Sequence, residues 1–209
     1  MATNGKRKHP LLAGVLIGAI LAAIAAAGAW AGEKLLPWLR VQKLAAAEVP
    51  AWVDVQLIPV DGDSRRGTRL EGVNDIVIHY VGNPGTTARQ NRSWYENPES
   101  EVSSHFIVGL EGEVIQCVPL EEVSSATNWR NSDTISIEVC HPDETGKFNE
   151  AAYDSAVKLT AWLLDSCGLD EEHLIRHYDV TGKECPRYFV QHEDAWEQFK
   201  ADVAKETER

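Results

Sequence analysis

The sequence predicts an α/β domain built on a mixed central β-sheet flanked by helices, preceded by one N-terminal transmembrane helix. Three observations lead there. Asp75-Ile76-Val77-Ile78-His79-Tyr80 is β-branched and apolar on both faces, as a central strand covered by helices is. Between Asn149 and Cys167 the apolar period changes to three and four residues, the signature of a helix packed by one face. Leu11 to Ala31 is a run of twenty-one residues without a charge.

That run comes first in the chain. As a helix rising about 1.5 Å per residue it reaches roughly 31 Å, the thickness of a bilayer's hydrocarbon. Lys6, Arg7 and Lys8 are the only charges before Glu33, and a basic flank keeps residues 1–10 in the cytoplasm and sends the rest outward. A cleaved signal peptide is the other reading, because Ala29-Trp30-Ala31 fits the small-x-small cleavage rule. The expected organisation is a basic cytoplasmic end at 1–10, a single-pass signal-anchor at 11–31, a juxtamembrane stalk at 32–50 and a domain over 51–200. A polar tail follows at 201–209. Retained or cleaved, the domain lies outside the cell.

Ala51 to Val60 is strand-like and ends in a turn-rich connector. After the strand at 75–80, Gly82 to Gly85 turns the chain and Thr86 to Tyr95 forms a helix, closed by Asn97-Pro98. Residues 104–109 and 113–118 pair as a hairpin around Leu110-Glu111-Gly112. In the strand 134–140, Ile135, Ile137 and Val139 share one face, and Ser136, Glu138 and Cys140 the other. Asn149 caps the amphipathic helix and Gly168 ends it. Leu174 to His177 is a short strand followed by a loop through Pro186, and a last helix runs from Glu193 to about Lys205.

Composition narrows the functions. At 209 residues the chain is too short for two full catalytic domains, and its 44% apolar content excludes wholesale disorder. The net charge of -12 argues against a nucleic-acid partner, which needs a basic footprint. Four cysteines without a CxxC pair make neither a disulfide scaffold nor a closed zinc finger. Export would allow one disulfide among Cys117, Cys140 and Cys167, with no sequence basis for choosing the pair.

Candidate chemistry gathers at strand ends. His79 closes a buried strand, where α/β proteins place ligand-binding groups. His177 leaves another strand, and Cys185 follows eight residues on in a Gly-containing loop. Together they form a His2Cys set that leaves a zinc ion one position for water. The bland alternative is a core histidine, a loop histidine and an inert buried thiol. Glu138 is either a solvated strand residue or a cleft base that takes a proton from water. Lys183 is either a surface lysine or a cation placed against an oxyanion.

Four segments carry a resemblance: IVIHYVGNPG around His79, SSHFIVGLEGEVIQCVPLEE, NSDTISIEVC with Glu138, and RHYDVTGKECP with His177, Lys183 and Cys185. In that order and spacing the chain resembles the zinc-dependent N-acetylmuramoyl-L-alanine amidases of type 2. These are related to peptidoglycan recognition proteins and to the bacteriophage amidase called a lysozyme. The resemblance covers about residues 51–200. It implies Zn(2+) held by His79, His177 and Cys185, Glu138 as general base and Lys183 against the oxyanion. The implied activity is hydrolysis of the amide between N-acetylmuramic acid and L-alanine in peptidoglycan or muropeptides; a monomer is expected. Tyr80, Asn83, Trp94, Trp129 and Arg130 are candidates to line the substrate groove, although each Trp can equally be core. The phage enzyme's tyrosine is replaced by Ser104, and a histidine found in many relatives is missing from Ser125 to Arg130. These departures leave a second reading, a non-catalytic peptidoglycan-binding module of the same fold. His105 is expected to be a hydrogen-bonded core histidine rather than a fourth ligand.

Overall fold

The computed structural model describes residues 28, 32, 35–60 and 62–209. The expected span at 11–31 lies almost wholly outside them. Among the described residues no helix is long and apolar enough to cross a membrane. Contacts divide the chain at Leu36/Pro37, and the architecture below is that of the unit Pro37–Arg209.

Six strands form one sheet: β1 (Val53–Val55), β2 (Asp75–Tyr80), β3 (Phe106–Val108), β4 (Val114–Gln116), β5 (Thr134–Val139) and β6 (Leu174–Arg176). Their order is β1-β4-β3-β5-β2-β6. All neighbours are parallel except β3 and β4, the antiparallel hairpin that the turn at Gly112 predicts. The sheet is therefore mixed, with its longest strands, β2 and β5, side by side.

Strand alternation divides the core into two layers. Ile76, Ile78, Phe106, Val108, Ile135, Ile137 and Val139 turn to one face and pack with α3 (Glu150–Cys167) and α6 (Glu193–Thr207). Ile107, Ile115 and Cys140 belong to the opposite layer, with Ala88 and Tyr95 of α2 (Ala88–Tyr95). The helix ends follow local chemistry. Thr87 and Gln90 make a capping box on α2, Asn149 caps α3, and Gly168 closes α3 in the left-handed region that suits glycine.

Two boundaries differ from the sequence expectation. Residues 35–46 are helical (α1), and Val41 and Leu44 of that helix are buried in the core, so residues 37–46 of the expected stalk belong to the domain. Arg40 Nη1 donates to the Val73 carbonyl, and a Cβ on Gly72 would come within 2.5 Å of Pro37 Cβ. At the other end α6 continues to Thr207 with Val203 fully buried, so residues 201–207 are packed helix rather than tail. The expected loop after β6 also contains a short helix, α4 (His177–Thr181), and a second, α5 (Arg187–Gln191), directly follows that loop. Arg176 holds them in place. Its buried guanidinium pairs with Asp179 and Glu193 and donates to the Phe189 carbonyl. All four cysteines are buried and free, so the disulfide considered from the sequence does not form.

Candidate metal centre

Strand order β5-β2-β6 assembles the site. Glu138 lies next to last on β5, His79 next to last on β2, and His177 directly follows β6, so all three stand at carboxyl ends of adjacent parallel strands. His79 and Glu138 share a rung of the ladder. Both lie on the face opposite the Ile76/Ile78 and Ile135/Ile137 layer, the side on which α2 packs. Cys185 is carried back by the α4 turn, where Tyr178 N–H donates to the Cys185 carbonyl.

His79, His177 and Cys185 are buried, and one ligand atom from each lies within 4.8 Å of the others. His79 Nδ1 is 3.9 Å from Cys185 Sγ and 3.9 Å from Glu138 Oε1. His177 Nδ1 and Glu138 Oε2 are buried without any hydrogen-bond partner. Two such atoms facing one cluster are a standing cost unless something fills the space between them. Nitrogen, nitrogen and sulfur donors with one open position fit a tetrahedral cation.

Electrostatics agree with that fit. Burial lowers the His79 pKa well below the ordinary value, assisted by His177 and Lys183. The His177 pKa falls to about 4, again through burial and then Lys183. Both imidazoles are thus held neutral, the form that donates to a metal. Burial pushes the Glu138 carboxyl up to about 8, opposed by Lys183. Burial, then the Glu138 charge, raises the Cys185 thiol. A cation among these groups would favour the ionised forms of both acids.

The centre opens into a cleft of about 800 Å³. Tyr80, Asn83 and Trp94, three of the candidate groove residues, line it, together with Glu138 and Lys183. Trp129 and Arg130 do not. Trp129 is 70% exposed and borders a separate pocket with Arg66 and Asn128. Arg130 is held by Asp75 and Asp133, so its guanidinium is committed within the domain rather than offered to a ligand.

Several cleft residues were not singled out from the sequence. Gln90, Asn91 and Tyr95 join Trp94 on the cleft side of α2. Their three- and four-residue spacing was the available signal. Tyr95 also meets Ser104. The Ser104 hydroxyl is fully buried, donates to the Phe106 carbonyl and lies 3.0 Å from Tyr95 Oη. Tyr95 thus lines the cleft from α2 while its hydroxyl is engaged by Ser104. His105 is a core residue as expected. Ser136 N–H donates to its Nδ1, and its Nε2 donates to the Glu122 carbonyl.

Comparison with known proteins converges on one family. A family model described as N-acetylmuramoyl-L-alanine amidase matches residues 69–188. The N-acetylmuramoyl-L-alanine amidase BlyA of Bacillus subtilis is 30% identical over 167 residues, covering 70% of this chain and 45% of that protein. The amidase CwlL of Bacillus licheniformis is 28% identical over 163 residues, with the same 70% and 45% coverage. The chain thus spans less than half the length of these two curated relatives. Among solved structures, the catalytic domain of XlyA superposes with a TM-score of 0.64 at 28% identity, covering 72% of this chain and 98% of that one. The fold is shared as well with PlyL, at a TM-score of 0.65 and 22% identity, over 74% of this chain and 98% of the other. With a model match over residues 69–188, a stretch that includes His79, Glu138, His177 and Cys185, the chain belongs to the N-acetylmuramoyl-L-alanine amidase family.

Proposed function

We propose that the chain hydrolyses the amide between N-acetylmuramic acid and L-alanine in peptidoglycan, using zinc held by His79, His177 and Cys185. The observation that carries this reading is the buried His2Cys cluster beside Glu138 on the floor of an open cleft. Zinc bound there supplies a Lewis acid that lowers the pKa of water toward neutrality and polarises the scissile carbonyl.

The protein's own groups do the rest. Glu138 takes the proton of the attacking water and returns it to the leaving L-alanine nitrogen. Lys183, also on the cleft wall, donates to the oxyanion of the tetrahedral intermediate. Tyr80, Asn83 and the half-exposed Trp94 orient the substrate, the indole offering a flat face to a sugar ring. Among the described residues, the cleft lining carries no carboxylate, lysine or arginine apart from Glu138 and Lys183, so it suits a neutral glycan–peptide junction. The acting unit is a single chain.

Residues 11–31 anchor that unit in the cell membrane, with the domain outside; their uncharged length and the Lys6-Arg7-Lys8 flank support this. A native chain beginning at Gly32 would overturn the anchor. The activity is tested by incubating the full chain with muropeptides, with and without zinc, and weighing the products. A zinc-dependent release of stem peptide with a free L-alanine amine is expected. Intact muropeptide, or a different new amine, would overturn the assignment.

A further inference from the structure

The far sides of the two histidines meet consecutive residues of one loop. Asn128 Oδ1 lies 2.8 Å from His177 Nε2, and Thr127 Oγ1 lies 3.4 Å from His79 Nε2. An amide oxygen only accepts, so His177 Nε2 must carry the hydrogen and Nδ1 the lone pair. Nδ1 is the buried atom without a partner on the cluster side. A hydroxyl at His79 Nε2 permits the same tautomer there, leaving Nδ1 toward Cys185 and Glu138.

The loop is built to hold this arrangement. Asn128 is the non-glycine residue with positive φ, +56°, among the described residues, a conformation asparagine tolerates better than most side chains. Asn131 Oδ1 accepts from the backbone amides of both Ala126 and Thr127. Thr134 at the start of β5 donates to the Arg130 carbonyl, and Arg130 pairs with Asp133 and with Asp75 at the start of β2. The loop is thereby tied to the opposite ends of the same two strands that present His79 and Glu138. Thr127 is buried, so it offers its hydroxyl to the protein and not to solvent.

We propose that Thr127 and Asn128 are positioning residues for the metal: a two-residue outer clamp that fixes tautomer and ring orientation of His79 and His177. The inference rests on the zinc reading above. A metal-ligating histidine generally gives its other N–H to such a partner, and losing the partner typically weakens metal binding by about 10–100-fold. Arg130 acquires its role here as well, as a brace for the clamp.

The test uses the full chain with zinc alone, and with cobalt(II) as a spectroscopic substitute, in competition with a chelating indicator. Asn128→Gly keeps the left-handed backbone accessible while removing the acceptor. It should bind zinc about 10–100-fold more weakly, with unchanged circular dichroism and an altered cobalt absorption spectrum. Thr127→Val should act in the same direction, and Thr127→Ser and Asn128→Asp, which keep an acceptor, should restore both readouts. Should Thr127→Val fail to fold, Asn128→Gly and its rescue decide alone. Wild-type zinc affinity and cobalt spectrum in Asn128→Gly would overturn the clamp. No zinc uptake by the unmutated chain would instead overturn the metal reading, and the clamp with it.

Discussion

His79 and Glu138 face each other across one rung of the β2–β5 ladder, with Nδ1 and Oε1 3.9 Å apart. The proposed metal ligand and the proposed proton acceptor are therefore fixed by the same backbone hydrogen bonds. Their spacing depends on sheet register, which a one-residue slip would destroy by turning one side chain to the other face.

Glu138→Gln tests the proton transfer without disturbing that register. The variant should keep its fold and its zinc yet lose more than about a hundredfold in turnover. Turnover of a defined muropeptide, read beside metal content, checks this. Near wild-type turnover with zinc bound would remove the general base from Glu138. His105 could not inherit the role, because both its ring nitrogens are engaged in the core.

Lys183 is exposed and lines the cleft without ligating, so Lys183→Ala should fold and load zinc normally. Loss of an oxyanion donor costs about 10²–10³ in kcat. A change confined to KM would show that the ammonium holds substrate in the ground state only.

Cys185→Ala removes the sulfur donor and should reduce zinc content well below the one ion per chain expected of the unmutated protein. Chelation of the unmutated protein should abolish turnover, and added zinc should restore it. Undiminished zinc in Cys185→Ala would exclude the thiolate as a ligand.

His105 gives the fold an acid limit. Its folded pKa is depressed to about 4, chiefly by burial, against an ordinary value of 6.5. Its contribution is fully present above pH 6.5 and is lost as pH falls toward 4, because the unfolded chain takes up the proton first. Between pH 7 and pH 5 the loss is on the order of 2 kcal/mol. His105→Gln can keep an acceptor toward Ser136 N–H and a donor toward the Glu122 carbonyl. Urea midpoints at the two pH values should therefore differ less in the variant than in the wild type. Equal acid sensitivity in both proteins would show that other groups set the limit.

Local patterning made much of this molecule legible. Alternation along 134–140 separates the Ile135/Ile137/Val139 face from Glu138, and Asn149 and Gly168 mark the ends of α3, because these features depend on neighbours in sequence. The grouping of His79, His177 and Cys185 was suggested by strand-end placement and ligand chemistry, with the bland alternative left open, and was carried by the resemblance of the four segments. What sequence hid was settled by tertiary contacts. Gly182 and Pro186 read as loop, yet the buried Arg176 organises short helices around them. Residues 32–50 read as a stalk, yet Val41 and Leu44 pack into the core. Arg130 read as a free cation because the chain does not show that Asp75, fifty-five positions earlier, comes to meet it.

The place of β6 beside β2 has a consequence for how the protein is made. His79 and Cys185 are 106 positions apart, and the strand that delivers His177 is the last of the six to leave the ribosome. Long-range parallel pairing of this kind is late and slow to form. A nascent chain ending before Cys185 lacks the third donor, however well its earlier strands have paired. Zinc bound by all three groups would thus stabilise only chains in which this last pairing is complete.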